Sequence, residues 1–209
     1  MPDESMDFDR PPSPLLTDVS GVVLAGGKSS RYGKNKAFVE VDGIPLIERT
    51  LRVMQSIFNQ VVLITNTPEE YAYLGLPMYT DVIRDLGPLG GIYTALNVIP
   101  TEGGFFVASD MPSLNPALIR HMVALKEGVD VVVPRMDWKL EALHAFYSIN
   151  CISEIEKIIR EGIYQVFRFF TNVRVRYVDK EEILTFDPQL MSFYNINRPE
   201  ELEHWTNVC

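Results

Sequence analysis

The stretch from Val19 to Lys36 constrains the fold of this chain more than any other. An uninterrupted apolar run, Val19–Leu24, has the length and composition of a buried strand. It passes directly into a loop that carries adjacent glycines, Gly26 and Gly27, and four cations within nine residues. Glycine lets backbone N–H groups approach a ligand closely because no Cβ intervenes. Since many α/β proteins hold phosphates on a Gly-rich loop that follows a strand, the sequence predicts a nucleotide site here.

The loop matches neither of two common phosphate-binding motifs. A P-loop requires G-x-x-x-x-G-K-[ST], and although Gly21 and Gly26 have that gap, Gly27 stands at the lysine position. The dinucleotide pattern G-x-G-x-x-G is absent as well. A flexible basic surface loop therefore remains the alternative to a phosphate site.

Length and charge indicate one acidic globular domain. The 209 residues suit a single α/β domain, and the net charge of −9 argues against nucleic acid as the main partner. No apolar run is long enough to span a membrane, and the acidic, Pro-rich start lacks the apolar segment of a secretory signal. We therefore expect a cytoplasmic protein in which residues 1–17 form a disordered tail and residues 18–209 a single domain.

Short apolar runs alternate with helical segments along the chain, which predicts successive β-α-β units and a largely parallel sheet with helices on both faces. Strands or extended segments are predicted at residues 19–24, 61–65, 77–80, 104–108, 129–133, 143–149, 173–178 and 191–196. Helices are predicted at residues 46–58, from 68, at 92–99, from 116 to near 128, at 153–161 and at 199–205, with a loop at 81–91. Because ligands bind outside the carboxyl ends of such strands, the loops that follow them are the candidate site.

Polar residues near two strand ends are candidate metal ligands. Asp110 lies two residues after the apolar run Phe105–Ala108, and Mg²⁺ prefers carboxylates together with substrate phosphate oxygens. A turn or helix-cap role is the alternative for this aspartate. Asn195 and Asn197 alternate on a predicted strand and share one face, so either could add an amide oxygen. For Asn197, capping the helix that follows at Pro199 is the alternative.

A second glycine-rich segment, Gly87–Gly91, follows the predicted extended segment 77–80. Its glycines permit close approach of a flat base, and Asp81 or the competing Asp85 could accept hydrogen bonds from a base N–H or a ribose hydroxyl. A tight Gly-Pro turn explains the first glycine but not Gly90 and its neighbour. Farther along the chain, His144 is either a substrate contact or a satisfied core histidine.

These segments together resemble the signature of the molybdenum cofactor guanylyltransferase family. The similar motifs, in chain order, are L-A-G-G-x-S-x-R-x-G-x-x-K-A at residues 24–37, G-P-L-G-G-I at 87–92, S-D-M-P at 109–112, E-A-L-H-A-F-Y at 141–147 and F-Y-N-I-N-R-P-E-E-L at 193–202. The resemblance runs from about Val19 to Trp205. It implies an α/β fold of the three-layer, Rossmann-like nucleotide-diphospho-sugar transferase type, with a mostly parallel mixed sheet.

The resemblance also implies an activity, the transfer of GMP from GTP to the phosphate of molybdopterin-bound molybdenum cofactor, with Mg²⁺ as cofactor and pyrophosphate as the other product. The implied partners are GTP and molybdopterin, and further proteins that supply molybdopterin or receive the product; neither nucleic acid nor a membrane is expected. Candidate nucleotide contacts, from the resemblance and from the glycine-rich loops, are Leu24, Ala25, Gly26, Gly27, Lys36, Asn66, Asp81, Gly90 and Asp110. Lys36, Arg31 and Asp110 are the candidate catalytic residues, and Asp110 and Asn197 the candidate metal ligands.

Three further features bear on this expectation. Asn35 stands where the family usually has an aspartate before the signature lysine. The missing side chain at Gly27 leaves room for a purine, which favours GTP over CTP. A shelf formed by Arg168, Arg174 and Arg176 for the pterin phosphate is the weaker reading of those arginines, since alternating arginines on a strand are more often a solvated face. The alternatives are a cytidylyltransferase, a sugar-phosphate nucleotidyltransferase, or a non-catalytic nucleotide-binding module.

Overall fold

The computed structural model describes residues 13–26 and 35–194. Its strands in chain order are β1 (Ser20–Leu24), β2 (Glu40–Val41), β3 (Ile44–Pro45), β4 (Val61–Ile64), β5 (Met78–Tyr79), β6 (Gly103–Ala108), β7 (Val131–Met136), β8 (Lys139–Leu140), β9 (His144–Ser148) and β10 (Val175–Asp179). Its helices are α1 (Leu46–Ile57), α2 (Pro68–Tyr71), α3 (Pro88–Val98), α4 (Pro116–Ala124), α5 (Ile152–Arg160) and α6 (Lys180–Leu184). The helix predicted at 199–205 lies outside the described residues.

One mixed sheet organises the described chain, in the order β10-β7-β9-β6-β1-β4-β5, with β8 paired to β7 as a hairpin. The central strand β1 is parallel to both β4 and β6, β4 is parallel to β5, and β7 is parallel to β10. Only β9 runs antiparallel within this order, between β6 and β7. The predicted mostly parallel mixed sheet is therefore confirmed, and the carboxyl ends of β1, β4, β6 and β7 meet at one edge.

Helices cover both faces of the sheet, which makes three layers. Successive residues of a strand face opposite sides, so Val23 packs in the core with α1 and α4 while Val22 packs in the core with α3 and α5. The apolar face of α1 shows the helical spacing that the sequence predicts, with Leu51 and Met54 buried. Burial on both faces explains why β1, β4 and β6 are continuous apolar runs.

The prediction of a loop over residues 81–91 is wrong at its end, because α3 begins at Pro88. Proline is well suited to the first helical position, where no N–H partner is needed. Gly87 before it has φ 59° and ψ −145°, a conformation open essentially to glycine alone. The segment thus turns sharply and enters the helix four residues earlier than predicted.

Two segments near the chain ends also differ from expectation. Residues 191–193 form a single 3-10 turn instead of the predicted strand, because the carboxylate of Asp187 accepts hydrogen bonds from the backbone of Met191 and Ser192 at 3.1 and 2.8 Å. The predicted disordered tail is too long at its end. Leu16 exchanges two backbone hydrogen bonds of 2.8 Å with Ile57 and Asn59 at the end of α1, so the domain includes residues before 18.

Candidate functional site

The end of β1 is held between two neighbouring strands. The N–H of Ala25 donates to the carbonyl of Ile64 at 2.9 Å, and the N–H of Ser109 donates to the carbonyl of Leu24 at 3.1 Å. Ala25 is buried, whereas Gly26 is exposed, so the chain leaves the core at this point. The three predicted contacts 24–26 therefore lie at the sheet edge, between the loops that follow β4 and β6.

Asn66 and Asp81, both predicted to contact the nucleotide, form a bonded pair. The side-chain amide of Asn66 donates to Asp81 Oδ2 at 2.7 Å, and its carbonyl oxygen accepts from the backbone N–H of Asp81 at 3.1 Å. The pair follows the parallel strands β4 and β5, where Thr65 N–H donates to the carbonyl of Tyr79 at 3.0 Å. This two-way bond fixes the carboxylate of Asp81 at the sheet edge.

The adjacent glycines of α3 serve close packing. A Cβ on Gly90 would lie 3.0 Å from the carbonyl oxygen of Ile83 and 3.9 Å from Cγ of Asp81, and a Cβ on Gly91 would lie 3.1 Å from a methyl group of Leu24. Gly90 is buried inside the helix, so the expectation of a glycine loop that receives a base is wrong in its geometry. The glycines instead bring α3 against Asp81 and Leu24, and thereby place the N-terminal turn of α3 beside these two predicted nucleotide contacts.

Asp110 and Lys36 lie close enough for electrostatic interaction. Burial raises the pKa of the Asp110 carboxyl above its ordinary value, and the positive charge of Lys36 partly offsets that increase. The loop after Asp110 is anchored to α1, because the hydroxyl of Thr50 donates to the carbonyl of Met111 at 3.1 Å. Lys36 begins a 3-10 turn that ends at Phe38. The structure thus brings together a half-buried carboxylate and a lysine from segments 74 positions apart.

The donor set fits one magnesium ion held largely by substrate oxygens. Within residues 13–26 and 35–194, no three His, Cys, Asp or Glu side chains form a cluster that could hold a metal ion. Mg²⁺ at nucleotide sites commonly takes one or two carboxylates together with phosphates and water, and Asp110 supplies such a carboxylate. Three further predicted site residues, Gly27, Arg31 and Asn197, lie outside the described residues and stay predictions.

His144 is a core residue and its side chain does not reach the surface. It is fully buried, with its ring edge-on to Phe105 at 5.2 Å and against Phe193 at 5.0 Å between centroids. Neither ring nitrogen has a hydrogen-bond partner, and burial lowers the pKa of His144 from 6.5 to about 3. The histidine is therefore neutral, and of the two interpretations the core one holds, although without the expected hydrogen bonds.

The predicted arginine shelf does not form at the site. Arg174 precedes β10, at the amino end of that strand, and its guanidinium binds the carboxylate of Asp130 at 3.0 and 3.1 Å. Arg176 on β10 binds Glu182 at 2.8 Å. Since parallel strands bring their amino ends to the opposite edge of the sheet, Arg174 lies away from Asp110. Arg168 lies in a separate 3-10 segment, Val166–Asn172.

The sequence analysis missed an exposed tryptophan at the same edge. Trp138 is 91% exposed at the tip of the β7–β8 hairpin, after Asp137 with φ 53°. Val132 of β7 is level with Phe105 of β6 across the intervening β9. Trp138 follows Val132 by six residues and Asp110 follows Phe105 by five, so both come after the same edge of the sheet. The strands that lead to them, β7 and β6, are two strand spacings apart, about 10 Å.

The sequence analysis also missed the environment of Asn35. Its side-chain amide donates to Glu70 at 2.7 Å and to the hydroxyl of Tyr71 at 2.8 Å, and its carbonyl oxygen accepts from Ala37 at 3.2 Å. Nothing in the spacing of these residues indicates the contact, because α2 and the Lys36 turn are far apart in the chain. The departure from the family pattern at Asn35 was the available signal.

The sequence of this chain is similar to those of known nucleotidyltransferases. A family model of MobA-like NTP transferase domains matches residues 21–176. The molybdenum cofactor guanylyltransferase of Desulfosudis oleivorans is 36% identical over 88% of this chain and 93% of its own length. The enzyme of the same name from Syntrophotalea carbinolica is 34% identical over 89% of this chain and 90% of its own length.

Solved structures of similar fold include a protein of molybdopterin-guanine dinucleotide biosynthesis and a nucleotidyl transferase. Molybdopterin-guanine dinucleotide biosynthesis protein A from Archaeoglobus fulgidus superposes with a TM-score of 0.79 at 28% identity, covering 91% of this chain and 98% of that chain. A nucleotidyl transferase from Methanothermobacter thermautotrophicus shares the fold with a TM-score of 0.67 at 15% identity, covering 91% and 99%. None of the helices in the described part of the chain is long and apolar enough to cross a membrane.

Proposed function

Because the chain belongs to the family of MobA-like NTP transferase domains, we propose that it transfers GMP from GTP to the phosphate of molybdopterin-bound molybdenum cofactor and releases pyrophosphate. The observation that carries the proposal is the half-buried Asp110 beside Lys36, at the sheet edge that also holds the Asn66–Asp81 pair. The names of relatives that are 34 to 36% identical along most of this chain support the same reaction.

GTP binds, in this proposal, across the ends of β1, β4 and β6. Leu24 and Ala25 line the site where the chain leaves the core, and the exposed Gly26 is the one of the three whose backbone faces outward toward a phosphate, which backbone N–H groups bind well. The carboxylate of Asp81, oriented by Asn66, accepts from the base or the ribose. The N-terminal turn of α3, which Gly90 brings close to Asp81, closes this side of the site.

The transfer needs no protein nucleophile, because the attacking phosphate of the acceptor is already anionic. The acceptor oxygen forms a bond to the α-phosphorus of GTP as the bond from that phosphorus to the oxygen bridging to the β-phosphate breaks. Lys36, assisted by Arg31, stabilises the charge on the transferred group and on the departing pyrophosphate. Asp110, with Asn197 as a second ligand, would hold Mg²⁺, which when bound neutralises charge on phosphate oxygens.

The acceptor lies, in this proposal, on the β7–β8 side of Asp110. The side chain of Trp138 is 91% exposed beyond this edge of the sheet, and an indole face stacks well on a flat heterocycle. Trp138 therefore stacks on the pterin while the acceptor phosphate reaches toward Asp110.

The expected cytoplasmic location and partner proteins stay predictions of the sequence.

The test is pyrophosphate release with GTP, CTP, ATP or UTP, each in the presence and absence of molybdopterin and Mg²⁺. We expect release only when GTP, acceptor and Mg²⁺ are all present. Asp110→Asn should abolish it, whereas Asp18→Asn, the same change at the opposite edge of the sheet, should not. Release with CTP in preference to GTP would assign a cytidylyltransferase instead. GTP binding without acceptor-dependent release would leave a nucleotide-binding module.

A further inference from the structure

Asn35 uses every polar atom of its side chain to tie the Lys36 turn to α2. Its carbonyl oxygen accepts from the backbone N–H of Ala37 at 3.2 Å and so caps the 3-10 turn that starts at Lys36. Its amide nitrogen donates to Glu70 Oε2 at 2.7 Å and to the hydroxyl oxygen of Tyr71 at 2.8 Å. The two N–H donors of an asparagine match these two acceptors.

The partners of Asn35 are themselves held in place. Tyr71 is fully buried and its ring stacks on Phe38 at 4.9 Å, so it anchors both α2 and the end of the Lys36 turn. The same oxygen of Glu70 that accepts from Asn35 also accepts from the hydroxyl of Thr67 at 3.2 Å. These contacts fasten the turn that carries Lys36 to α2, the helix that follows Asn66 in the chain.

The chemistry of the pair specifies an amide at position 35. A carboxylate there would offer only acceptors to the carboxylate of Glu70, and two carboxylates at hydrogen-bond distance repel each other unless they share a proton. An alanine would leave the N–H of Ala37 and the hydroxyl oxygen of Tyr71 without their partner. Asn35 and Glu70 are therefore complementary as donor and acceptor, and neither can change alone without loss.

We propose that Asn35 is a positioning residue that places Lys36 for phosphate binding, and that Glu70 and Tyr71 of α2 complete it as a matched clamp. The proposal rests on the proposed function, since Lys36 is taken as the phosphate contact. A clamp between the loop after β4 and the Lys36 turn also links the base side of the site to the phosphate side. Loss of the clamp thus changes nucleotide binding and turnover, and leaves acceptor binding unchanged.

The test exchanges donor and acceptor between the two positions. Asn35→Asp should lower kcat/KM for GTP about tenfold or more, because charge repulsion displaces the turn. Adding Glu70→Gln restores an amide-to-carboxylate hydrogen bond in the opposite direction and should bring kcat/KM to within about threefold of the parent. Glu69→Gln is the matched control, since it removes the same charge from an exposed neighbour on α2 and should not rescue Asn35→Asp.

A second comparison separates positioning from general stabilisation. If Asn35 acts through Lys36, the effect of Asn35→Asp on kcat/KM should largely vanish in a Lys36→Ala background, whereas a purely structural role predicts the full effect again. Unchanged turnover in Asn35→Asp, equal rescue by Glu69→Gln, or additive effects with Lys36→Ala would each overturn the proposal. Failure of the proposed function would show as a parent protein that binds no GTP in calorimetry. In that case the clamp is still tested by thermal unfolding, since adding Glu70→Gln should restore the unfolding temperature that Asn35→Asp lowers.

Discussion

The two halves of the sheet edge on either side of Asp110 are built differently. On the half where we propose that the nucleotide binds, the donor half, parallel strands β1, β4 and β5 end in loops held by backbone hydrogen bonds, and the described residues predicted to contact the nucleotide lie on this half or at its boundary. On the other half, which we propose as the acceptor half, the antiparallel β9 lies between β6 and β7, and polar side chains of β7 and β8 form ion pairs, as in Arg135 with Asp179 and Lys139 with Glu141. A nucleotide on the donor half can be bound by loop backbone, and glycine-rich motifs make such loops visible in the sequence. An acceptor on the other half has to be bound by exposed side chains instead.

The largest effect is expected at the boundary between the halves. Asp110→Asn keeps the size of the side chain and removes the charge that Mg²⁺ requires, so turnover should fall by about three orders of magnitude or more. The unfolding temperature should not fall, because burial already disfavours the charged form of this residue. Steady-state kinetics and thermal unfolding of the same preparation measure both. Turnover within tenfold of the parent would remove Asp110 from the reaction.

Lys36 should have the next largest effect. Lys36→Met should lower kcat by roughly two to three orders of magnitude, as loss of a charge-stabilising donor does elsewhere. The same change should raise the pKa of Asp110 further, since the charge of Lys36 lowers it in the parent. The acid limb of the pH–rate profile should therefore move to higher pH in Lys36→Met. A limb that stays in place or moves to lower pH would contradict the pairing of the two residues.

The base side of the donor half should show a moderate effect. Asp81→Asn removes the acceptor that Asn66 orients and should lower kcat/KM for GTP by roughly ten- to a hundredfold, with the acceptor KM unchanged. Asp85→Asn is the control, because Asp85 is exposed and has φ 64°, which asparagine tolerates well. The assignment would be reversed if Asp85→Asn caused the larger loss.

The acceptor half should respond to Trp138 alone among the changes considered. Trp138→Ala should raise the KM for molybdopterin about tenfold, in line with roughly 1–3 kcal/mol for an aromatic stack on a base, and Trp138→Tyr should lose less. Calorimetric affinity for GTP should not change. In a Trp205→Phe background, molybdopterin should quench the fluorescence of Trp138. An equal loss of GTP affinity would erase the distinction between the halves.

The smallest effect concerns stability in the core beneath the acceptor half. His144 has its pKa lowered to about 3, so below pH 6.5 the unfolded chain binds a proton that the folded chain does not. Stability from this site should therefore decrease as pH falls from about 6.5 toward 3, by up to about 2 kcal/mol at pH 5. His144→Phe should flatten that part of the pH dependence in urea unfolding. An unchanged slope would show that His144 is not buried neutral.

The donor half could be predicted well from the sequence, because each of its features depends on residues that are close together in the chain. A strand that runs into Gly26, a carboxylate two residues past an apolar strand and a Gly-Pro step at Gly87 each report on their own backbone, and the parallel order of strands then brings Asp81 and Asp110 to one edge. The family resemblance added the roles of Lys36 and Asn66, which spacing alone does not supply.

The remaining features depend on contacts between distant segments. The burial of His144 follows from its packing against Phe105 and Phe193, which lie far from it in the chain. Arg174 resembled a phosphate ligand until the strand direction placed it at the amino end of β10. The direction and order of strands, which no local pattern encodes, decided where Arg174 lies, and packing between distant segments decided the environment of His144.

The measurement that tests the central claim most directly follows the α-phosphate of GTP. GTP labelled at that phosphorus is incubated with the protein, Mg²⁺ and molybdopterin-bound molybdenum cofactor, and the label is traced alongside pyrophosphate. The account predicts that label enters a molybdopterin dinucleotide in equal amount to the pyrophosphate released, and that labelled CTP gives neither. Label that appears only in free GMP, or a dinucleotide formed from CTP instead, would contradict it.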